Sequence, residues 1–207
     1  MTTALTEGVV SVPLRLVPDQ PAVDLPAAER AVADLLRALR RDPASPHLQD
    51  TPRRVAAAFA EMLTPEPFAV TTFPNDEAYD ELVLARSIPF TSLCEHHLLS
   101  FTGVAHVGYL PGERIVGLSK LARVVRHFAR DLQVQERLTK QIADYLDEAL
   151  APKGVGVVLE AEHLCMSVRG VQAQGTKTVT SCLLGKLRDD ARSRQEFLSL
   201  TTPASRS

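Results

Sequence analysis

Residue types that bind metals occur at two places far apart in this chain of 207 residues. Cys94 and His97 have the spacing C-x-x-H, which lets both side chains bind one small cation from a single loop. Cys165 is the third candidate ligand, near the end of a long apolar segment that we interpret as a strand. Three ligands of the set Cys, Cys and His leave one tetrahedral position of Zn²⁺ open for water. The pattern therefore predicts a catalytic rather than a structural zinc site.

Two further histidines lie beside these candidate ligands. His96 is adjacent to His97, and His163 precedes Cys165 by two residues, so the alternation of a strand would place both on one face. Histidine titrates near neutral pH and suits proton transfer. The alternative is that the cysteines are small core residues and the histidines are hydrogen-bonded core groups, which the C-x-x-H spacing alone would favour. The two extra histidines favour the metal site, and we assign Cys182 to packing.

Several cations could hold an anionic ligand. Residues 117–120 (GLSK) begin a predicted helix, and a helix N-terminus with free N–H groups and a nearby lysine suits a phosphate. Arg123 follows Lys120 by three residues on the same helix face. Arg54 and Arg169 would complete a set of four cations that matches a triphosphate. Taken singly, each of these residues is more often a solvated surface side chain.

Glu136 has two interpretations that periodicity does not separate. Its carboxylate could accept hydrogen bonds from the N1–H and the exocyclic amine of a guanine. Such a contact would reject adenine, because the buried carboxylate would then be unpaired. Alternatively, Glu136 forms an ion pair with Lys140 at i+4 on a helix surface.

Composition excludes several classes of partner. The net charge is −2, and no basic run is present of the kind that nucleic-acid binding requires. Three cysteines, an odd and sparse count, argue against a disulfide framework and for a reducing compartment. The apolar stretch 9–17 is short and interrupted by Pro13, which is unlike a signal peptide or a membrane span. We expect a cytoplasmic protein with neither a nucleic-acid nor a membrane partner.

The elements that must position these residues follow from hydrophobic periodicity. Residues 1–25 are rich in proline without a sustained period and are predicted to be a flexible N-terminal arm. Residues 26–66 predict two amphipathic helices, and residues 67–207 predict one catalytic domain. From residue 80 the order is strand, strand, helix, helix, strand, strand. This order predicts an α+β fold, an antiparallel four-stranded sheet with two helices on one face, preceded by the N-terminal helices.

Six segments together resemble the signature segments of the GTP cyclohydrolase I family, in the same order along the chain. The likeness covers roughly residues 50 to 200. The segments are DTPRRVA at 50–56, SLCEHH at 92–97, VGLSKLAR at 116–123, QVQERLT at 133–139, HLCMSVRG at 163–170 and GTKTVTS at 175–181.

The resemblance implies a tunnelling fold and a toroidal homodecamer with active sites between neighbouring subunits. It implies that GTP and water are converted to 7,8-dihydroneopterin triphosphate and formate, the first step of pterin and tetrahydrofolate biosynthesis. The implied zinc ligands are Cys94, His97 and Cys165. The implied proton-transfer residues are His96 and His163, and Ser119 would assist the ribose rearrangement and ring closure. The implied substrate contacts are Glu136 and Gln135 to guanine, and Arg54, Lys120, Arg123 and Arg169 to the triphosphate.

Three other classes fit the sequence less well. A zinc nucleobase deaminase pairs H-x-E with P-C-x-x-C, and this chain has no C-x-x-C. A non-catalytic scaffold would need neither the ligands nor the two histidines. A nitrile-reducing relative of the tunnelling-fold group would use a cysteine nucleophile and NADPH without zinc. Ala57 departs from the family pattern, in which some members have a further basic residue, so triphosphate affinity stays open.

Overall fold

A computed structural model describes residues 10–13 and 22–202, and of residues 10–13 the backbone only. The described residues fall into two compact units, one with the first two helices and one with β1 and all elements after residue 65. The strands are β1 Val10–Pro13, β2 Ala69–Pro74, β3 Val83–Cys94, β4 Ser100–Leu110, β5 Arg114–Val116, β6 Leu132–Gln133, β7 Gly154–His163 and β8 Lys177–Gly185. The helices are α1 Leu25–Ala38, α2 Thr51–Met62, α3 Leu118–Ala129, α4 Gln135–Leu150, α5 Leu164–Ser167, α6 Lys186–Asp189 and α7 Ala191–Thr201.

The first unit is a helix pair, as the periodicity of residues 26–66 predicts. The Asp24 carboxylate accepts from the backbone N–H of Ala27 at 2.9 Å and caps α1. Helix α1 packs against α2, yet no α1 side chain is buried within the part of the chain that the structure describes. Leu35 and Leu39, members of the predicted apolar stripe, are 57% and 61% exposed. The predicted helix therefore forms, but its apolar stripe is only partly covered there, with Val32 and Leu36 half-buried.

A five-stranded sheet organises the second unit, in the order β6-β3-β4-β7-β8. Its four long strands are antiparallel neighbours, and β6 adds two residues parallel to β3. Helix α3 packs against β3, and α4 packs against β7 and β8, in one continuous apolar core. This order of elements confirms the predicted α+β class, and β6 is an addition that the sequence did not predict.

The C-terminal helix covers a second, smaller apolar cluster. Phe197 of α7 is fully buried with Leu187, Leu110 and Val158. Its ring lies so close to β7 that a Cβ at Gly156 would meet it at 2.7 Å. The glycine at this position therefore lets α7 dock on the sheet.

A three-stranded sheet, β1-β2-β5, was not predicted from the sequence. Val10–Pro13 belongs to the predicted N-terminal arm, and its backbone pairs antiparallel with β2. Residues 1–9 and 14–21 of that predicted arm lie outside the described residues. Among the described helices, none combines the length and apolar character that a membrane span needs.

Candidate metal centre and active site

The structure brings the three predicted metal ligands together. Cys94 is the last residue of β3, His97 lies in the following turn, and Cys165 lies in α5. One ligand atom from each residue lies within 4.8 Å of the others, and no fourth residue joins this group among the residues that the structure describes. The ends of β3 and β7, which lie on either side of β4 in one sheet, therefore bring about the convergence that the sequence predicts.

The placement of Cys165 on a strand face is wrong. Strand β7 ends at His163, and Cys165 lies in the short helix α5 that follows it. The Ser167 hydroxyl donates to the His163 carbonyl at 3.0 Å, which stabilises a helical turn directly after the strand. Hydrophobic alternation along 155–165 does not reveal this turn, because apolar residues continue from β7 into α5.

The 94–97 ligand turn is closed by its own backbone. The Leu98 N–H donates to the Cys94 carbonyl at 2.8 Å, and the Cys94 N–H donates to the Leu99 carbonyl at 2.9 Å. Leu98 has a φ of 55°, in the left-handed region. The turn places the Cys94 sulfur 3.8 Å from Nδ1 of His97.

Arg137 of α4 anchors this turn, and the sequence analysis did not single it out. Its guanidinium donates to the Glu95 carboxylate at 2.5 Å, to the Leu132 carbonyl at 2.6 Å and to the Gln133 side-chain oxygen at 3.0 Å. The Glu95 N–H donates to the Gln133 carbonyl at 3.1 Å. The turn that carries two ligands is thus fixed to β6 and α4. Only its place in the QVQERLT segment could have pointed to Arg137.

The chemistry of the donor set fits a divalent metal. Burial, together with the neighbouring Cys94 thiol, raises the pKa of Cys165. Without a cation this thiol therefore stays protonated near neutral pH, and a divalent ion would stabilise its thiolate form. Two thiolates and one imidazole are a ligand set typical of Zn²⁺. Nη1 of Arg169 also lies 3.4 Å from Nε2 of His97, so this predicted phosphate ligand borders the metal cluster.

His163 lies at the end of β7, next to the metal cluster. Its ring stacks on Phe101 with centroids 4.5 Å apart, and its Nε2 lies 2.7 Å from Oε1 of Gln135. Burial lowers the pKa of His163, and the negative charge of Glu136 opposes this shift. A partly buried, largely neutral imidazole suits proton transfer.

Gln135, which is predicted to lie at the guanine edge, has its side chain engaged within the protein. It is only 2% exposed, and both ends of its amide are engaged within the protein. Its neighbour Glu136 is exposed. Lys140 is bonded to both carboxylate oxygens of Asp144, at 2.8 and 2.7 Å, so the alternative pairing of Lys140 with Glu136 is not made. The geometry leaves the carboxylate of Glu136 accessible to a ligand.

His96 is the more exposed of the two predicted proton-transfer residues. Its Nδ1 lies 3.9 Å from the Cys94 sulfur, and its Nε2 lies 3.7 Å from a Glu95 carboxylate oxygen. The side chain is 63% exposed. His96 therefore borders the cluster from the solvent side, whereas His163 borders it from the protein side.

The other candidate residues lie on α2 and α3. The Lys120 ammonium donates to the Ala69 carbonyl at 2.9 Å, and Ser119 and Arg123 are exposed on α3. None of the three has a described contact with the metal cluster. Arg54 lies on α2 in the other compact unit, where it pairs with Asp50 at 3.0 Å. Arg123 lines a basic pocket of about 190 Å³ formed by Glu66, Pro67, Phe68, Arg123, Arg126, His127 and Arg130.

The fold and the site together define an α+β protein with a three-residue Cys–His–Cys site suited to a catalytic metal. The profile of GTP cyclohydrolase I matches residues 28–202. The GTP cyclohydrolase 1 of Mycobacterium ulcerans is 54% identical over 184 residues, covering 86% of this chain and 91% of that protein. The chain therefore belongs to the GTP cyclohydrolase I family, which confirms the predicted family and its enzymatic class.

A second relative supports the same family, and a solved structure is too dissimilar to add to the assignment. The GTP cyclohydrolase 1 of Aquifex aeolicus is 50% identical over 179 residues, covering 86% of this chain and 97% of that protein. A solved structure of the archaeosine synthase QueF-Like in the apo form is 17% identical, with a TM-score of 0.41. It covers 50% of this chain and 93% of the other. The family assignment rests on the sequence relatives.

Proposed function

We propose that this protein is a zinc-dependent GTP cyclohydrolase that converts GTP and water to 7,8-dihydroneopterin triphosphate and formate. The observation that carries the proposal is the convergence of Cys94, His97 and Cys165 within 4.8 Å. It occurs beside His163, in a chain whose relatives are named GTP cyclohydrolase 1. The reaction would be the first step of pterin and tetrahydrofolate biosynthesis, in the cytoplasm.

Cys94, His97 and Cys165 would hold the zinc ion. Zinc with three protein ligands lowers the pKa of a coordinated water to near neutrality and supplies a nucleophile for hydrolysis. His163 would donate a proton to N7 of the purine as the five-membered ring of the purine opens at C8. His96 would transfer protons from the solvent side. Loss of C8 as formate then leaves the opened intermediate in place for ring closure, which Ser119 would assist.

The remaining residues would bind and orient GTP. Glu136, which is exposed and has no described ion pair, would accept from the guanine N1–H and amine. Arg169 would hold a phosphate next to the cluster, with Lys120, Arg123 and Arg54 completing the triphosphate site. The triphosphate does not react, so these cations act by positioning, which makes the attack effectively unimolecular.

Lys120 and Arg123 have no described contact with the metal cluster, which is compatible with a site built from two chains. Lys120 is tied to β2, in the three-stranded sheet, whereas the cluster lies at the end of the five-stranded sheet. A neighbouring copy could supply the phosphate-binding face of α3 to the cluster. We propose that this assembly is a toroidal homodecamer of chains with the tunnelling fold.

Metal content and GTP turnover, measured together, test this function. We expect about one zinc per chain, and loss of turnover when a chelator removes it, with recovery on zinc addition. Cys165→Ala should lose both metal and turnover, whereas Cys182→Ala is the matched control and should keep both, because Cys182 only packs against the core. His163→Ala should keep the metal and lose turnover. Full turnover in protein shown to be metal-free would refute the proposal.

A further inference from the structure

The amide group of Gln135 has only one possible orientation. Its nitrogen lies 3.2 Å from the Leu159 carbonyl oxygen, 3.0 Å from the Thr178 carbonyl oxygen and 3.1 Å from the Thr180 hydroxyl. Two of these partners are backbone carbonyls, which can only accept. If the amide oxygen of Gln135 were in the place of its nitrogen, it would face two carbonyl oxygens, and none of the three atoms has a proton to donate. The contacts therefore settle an assignment of N and O that is usually ambiguous.

Two threonine hydroxyls confirm the direction of each hydrogen bond. The Thr139 hydroxyl lies 2.7 Å from the Gln135 backbone carbonyl, so its single proton is donated there. The Thr180 hydroxyl lies 2.6 Å from the Thr139 oxygen and must donate to it. The Thr180 oxygen then has no proton to give to the Gln135 nitrogen, which shares its two N–H protons among the two carbonyls and this oxygen. Thr139 is 1% exposed and Gln135 is 2% exposed, so water does not compete for these groups.

The fixed amide determines where His163 carries its proton. The Gln135 Oε1, which can only accept, lies 2.7 Å from Nε2 of His163. Nε2 must therefore carry a proton in both the neutral and the charged ring, and the lone pair of the neutral ring is on Nδ1. The ring planes of His163 and Phe101 differ by 3°, and this stack holds the imidazole in the plane that the hydrogen bond requires.

We propose that Gln135 is a positioning residue that holds His163 as the Nε2–H tautomer, so that Nδ1 is the nitrogen through which His163 transfers protons. The tautomer follows from the hydrogen bonds alone, whereas its catalytic use rests on the proposed function. Gln135 then acts through His163 and not by direct contact with the guanine.

Solid-state NMR of the zinc-loaded, full-length protein labelled with [15N]histidine tests the tautomer directly. At a pH above neutrality, the His163 ring should give the shift of a protonated nitrogen at Nε2 and of an unprotonated nitrogen at Nδ1. The signals are assigned by their loss in His163→Gln. Gln135→Met removes both the donor and the acceptor and should shift the ring to a tautomer mixture. Gln195→Met, on an exposed position of α7, is the control and should leave the spectrum unchanged.

Kinetics separate the positioning role from a substrate contact. Gln135→Met should lower kcat by about 10- to 100-fold with little change in the KM for GTP. A raised KM with unchanged kcat would instead place Gln135 on the substrate and overturn the proposal. A proton on Nδ1 and none on Nε2 in the wild-type protein would overturn it without any variant. If the wild-type protein does not turn over GTP, the proposed function fails, but the NMR measurement still decides the tautomer.

Discussion

Cys94 and Cys165 are two thiols held within reach of each other by different elements. Their sulfur atoms lie within 4.8 Å, a gap that small rotations of the side chains and of α5 could close to a disulfide bond. We therefore predict that metal-free protein treated with a mild oxidant forms a bond between Cys94 and Cys165. Cys182 lies outside the cluster and should stay free. Mass spectrometry of unreduced peptides identifies the pair.

Zinc-loaded protein is the control for this reaction. Thiolates bound to zinc are shielded from oxidation, so crosslinking should be slow until a chelator is added. Equal crosslinking rates with and without zinc would show that these cysteines are not metal ligands.

His106 is a buried histidine outside the active site, and its charge state affects folding. Burial lowers the pKa of His106; Arg86 lowers it further and Glu160 opposes the shift. Folding therefore favours the neutral ring of His106, whereas in the unfolded chain His106 has the ordinary pKa of 6.5. The contribution of neutral His106 to the free energy of unfolding is complete above pH 6.5. It is lost as the pH falls below that value, because the unfolded chain then binds a proton more readily than the folded protein.

We predict that the free energy of unfolding falls more steeply between pH 7 and pH 5 in the wild type than in His106→Gln. Urea denaturation at several pH values measures both curves, and taking their difference removes the contribution of the other titrating groups. Parallel curves would contradict a depressed His106 pKa.

At the residue scale, the sequence predicts donor types but not hydrogen-bond partners. The set of Cys94, His97 and Cys165 could be recognised because two further histidines lie beside these ligands in the sequence. The bond between Gln135 and His163 could not be predicted, because it depends on carbonyl groups of β7 and β8 that no spacing within the chain encodes. The resemblance to the family instead implied that Gln135 contacts the guanine.

At the scale of elements, Arg137 links the ligand turn to α4 and β6. Residues that do not touch a metal but orient its ligands still affect the affinity of the site for the metal. We therefore predict that Arg137→Gln weakens zinc binding by about tenfold. Lys140→Gln is the matched control, because Lys140 lies one turn later on α4 and pairs only with Asp144 among the contacts described for it. Competition with a chromophoric chelator measures the zinc affinity of each variant.

Two outcomes would contradict this role of Arg137. Equal zinc affinity in both variants would show that the turn is held by its backbone bonds alone. An equal loss in both would show a general electrostatic effect of removing a positive charge from α4. A loss confined to Arg137→Gln supports the anchoring contact with Glu95.

Long periodic elements were predicted from the sequence, and short ones were not. The stripes of α3 and α4 are visible because buried residues such as Leu121, Val124 and Leu138 recur at helical spacing. Strands β1, β5 and β6 have two to four residues each, and they form only because a distant strand supplies hydrogen-bond partners. The same limit explains why α5 was taken as part of β7.

At the scale of the whole molecule, the candidate catalytic and substrate residues of the second unit include two groups. One group surrounds the metal cluster and includes His163 and Arg169, and the other lies on α3 and includes Lys120 and Arg123. No described contact connects the two groups within the chain. If neighbouring chains complete each other's sites, as proposed, the groups act together only in the assembly.

Mixing two inactive variants tests whether each site uses two chains. Cys165→Ala disables the cluster side, and a Lys120→Ala, Arg123→Ala double variant disables the α3 side. In randomly mixed oligomers, roughly a quarter of the sites would combine an intact cluster with an intact α3 face, so activity should recover to about that fraction of wild type. Light scattering should give a mass about ten times that of the 22.6 kDa chain. Two affinity tags, one on each variant, identify the oligomers that contain both. If these mixed oligomers stay inactive, each chain must supply both sides of its own site. In that case every chain keeps its own defect, whatever its neighbour.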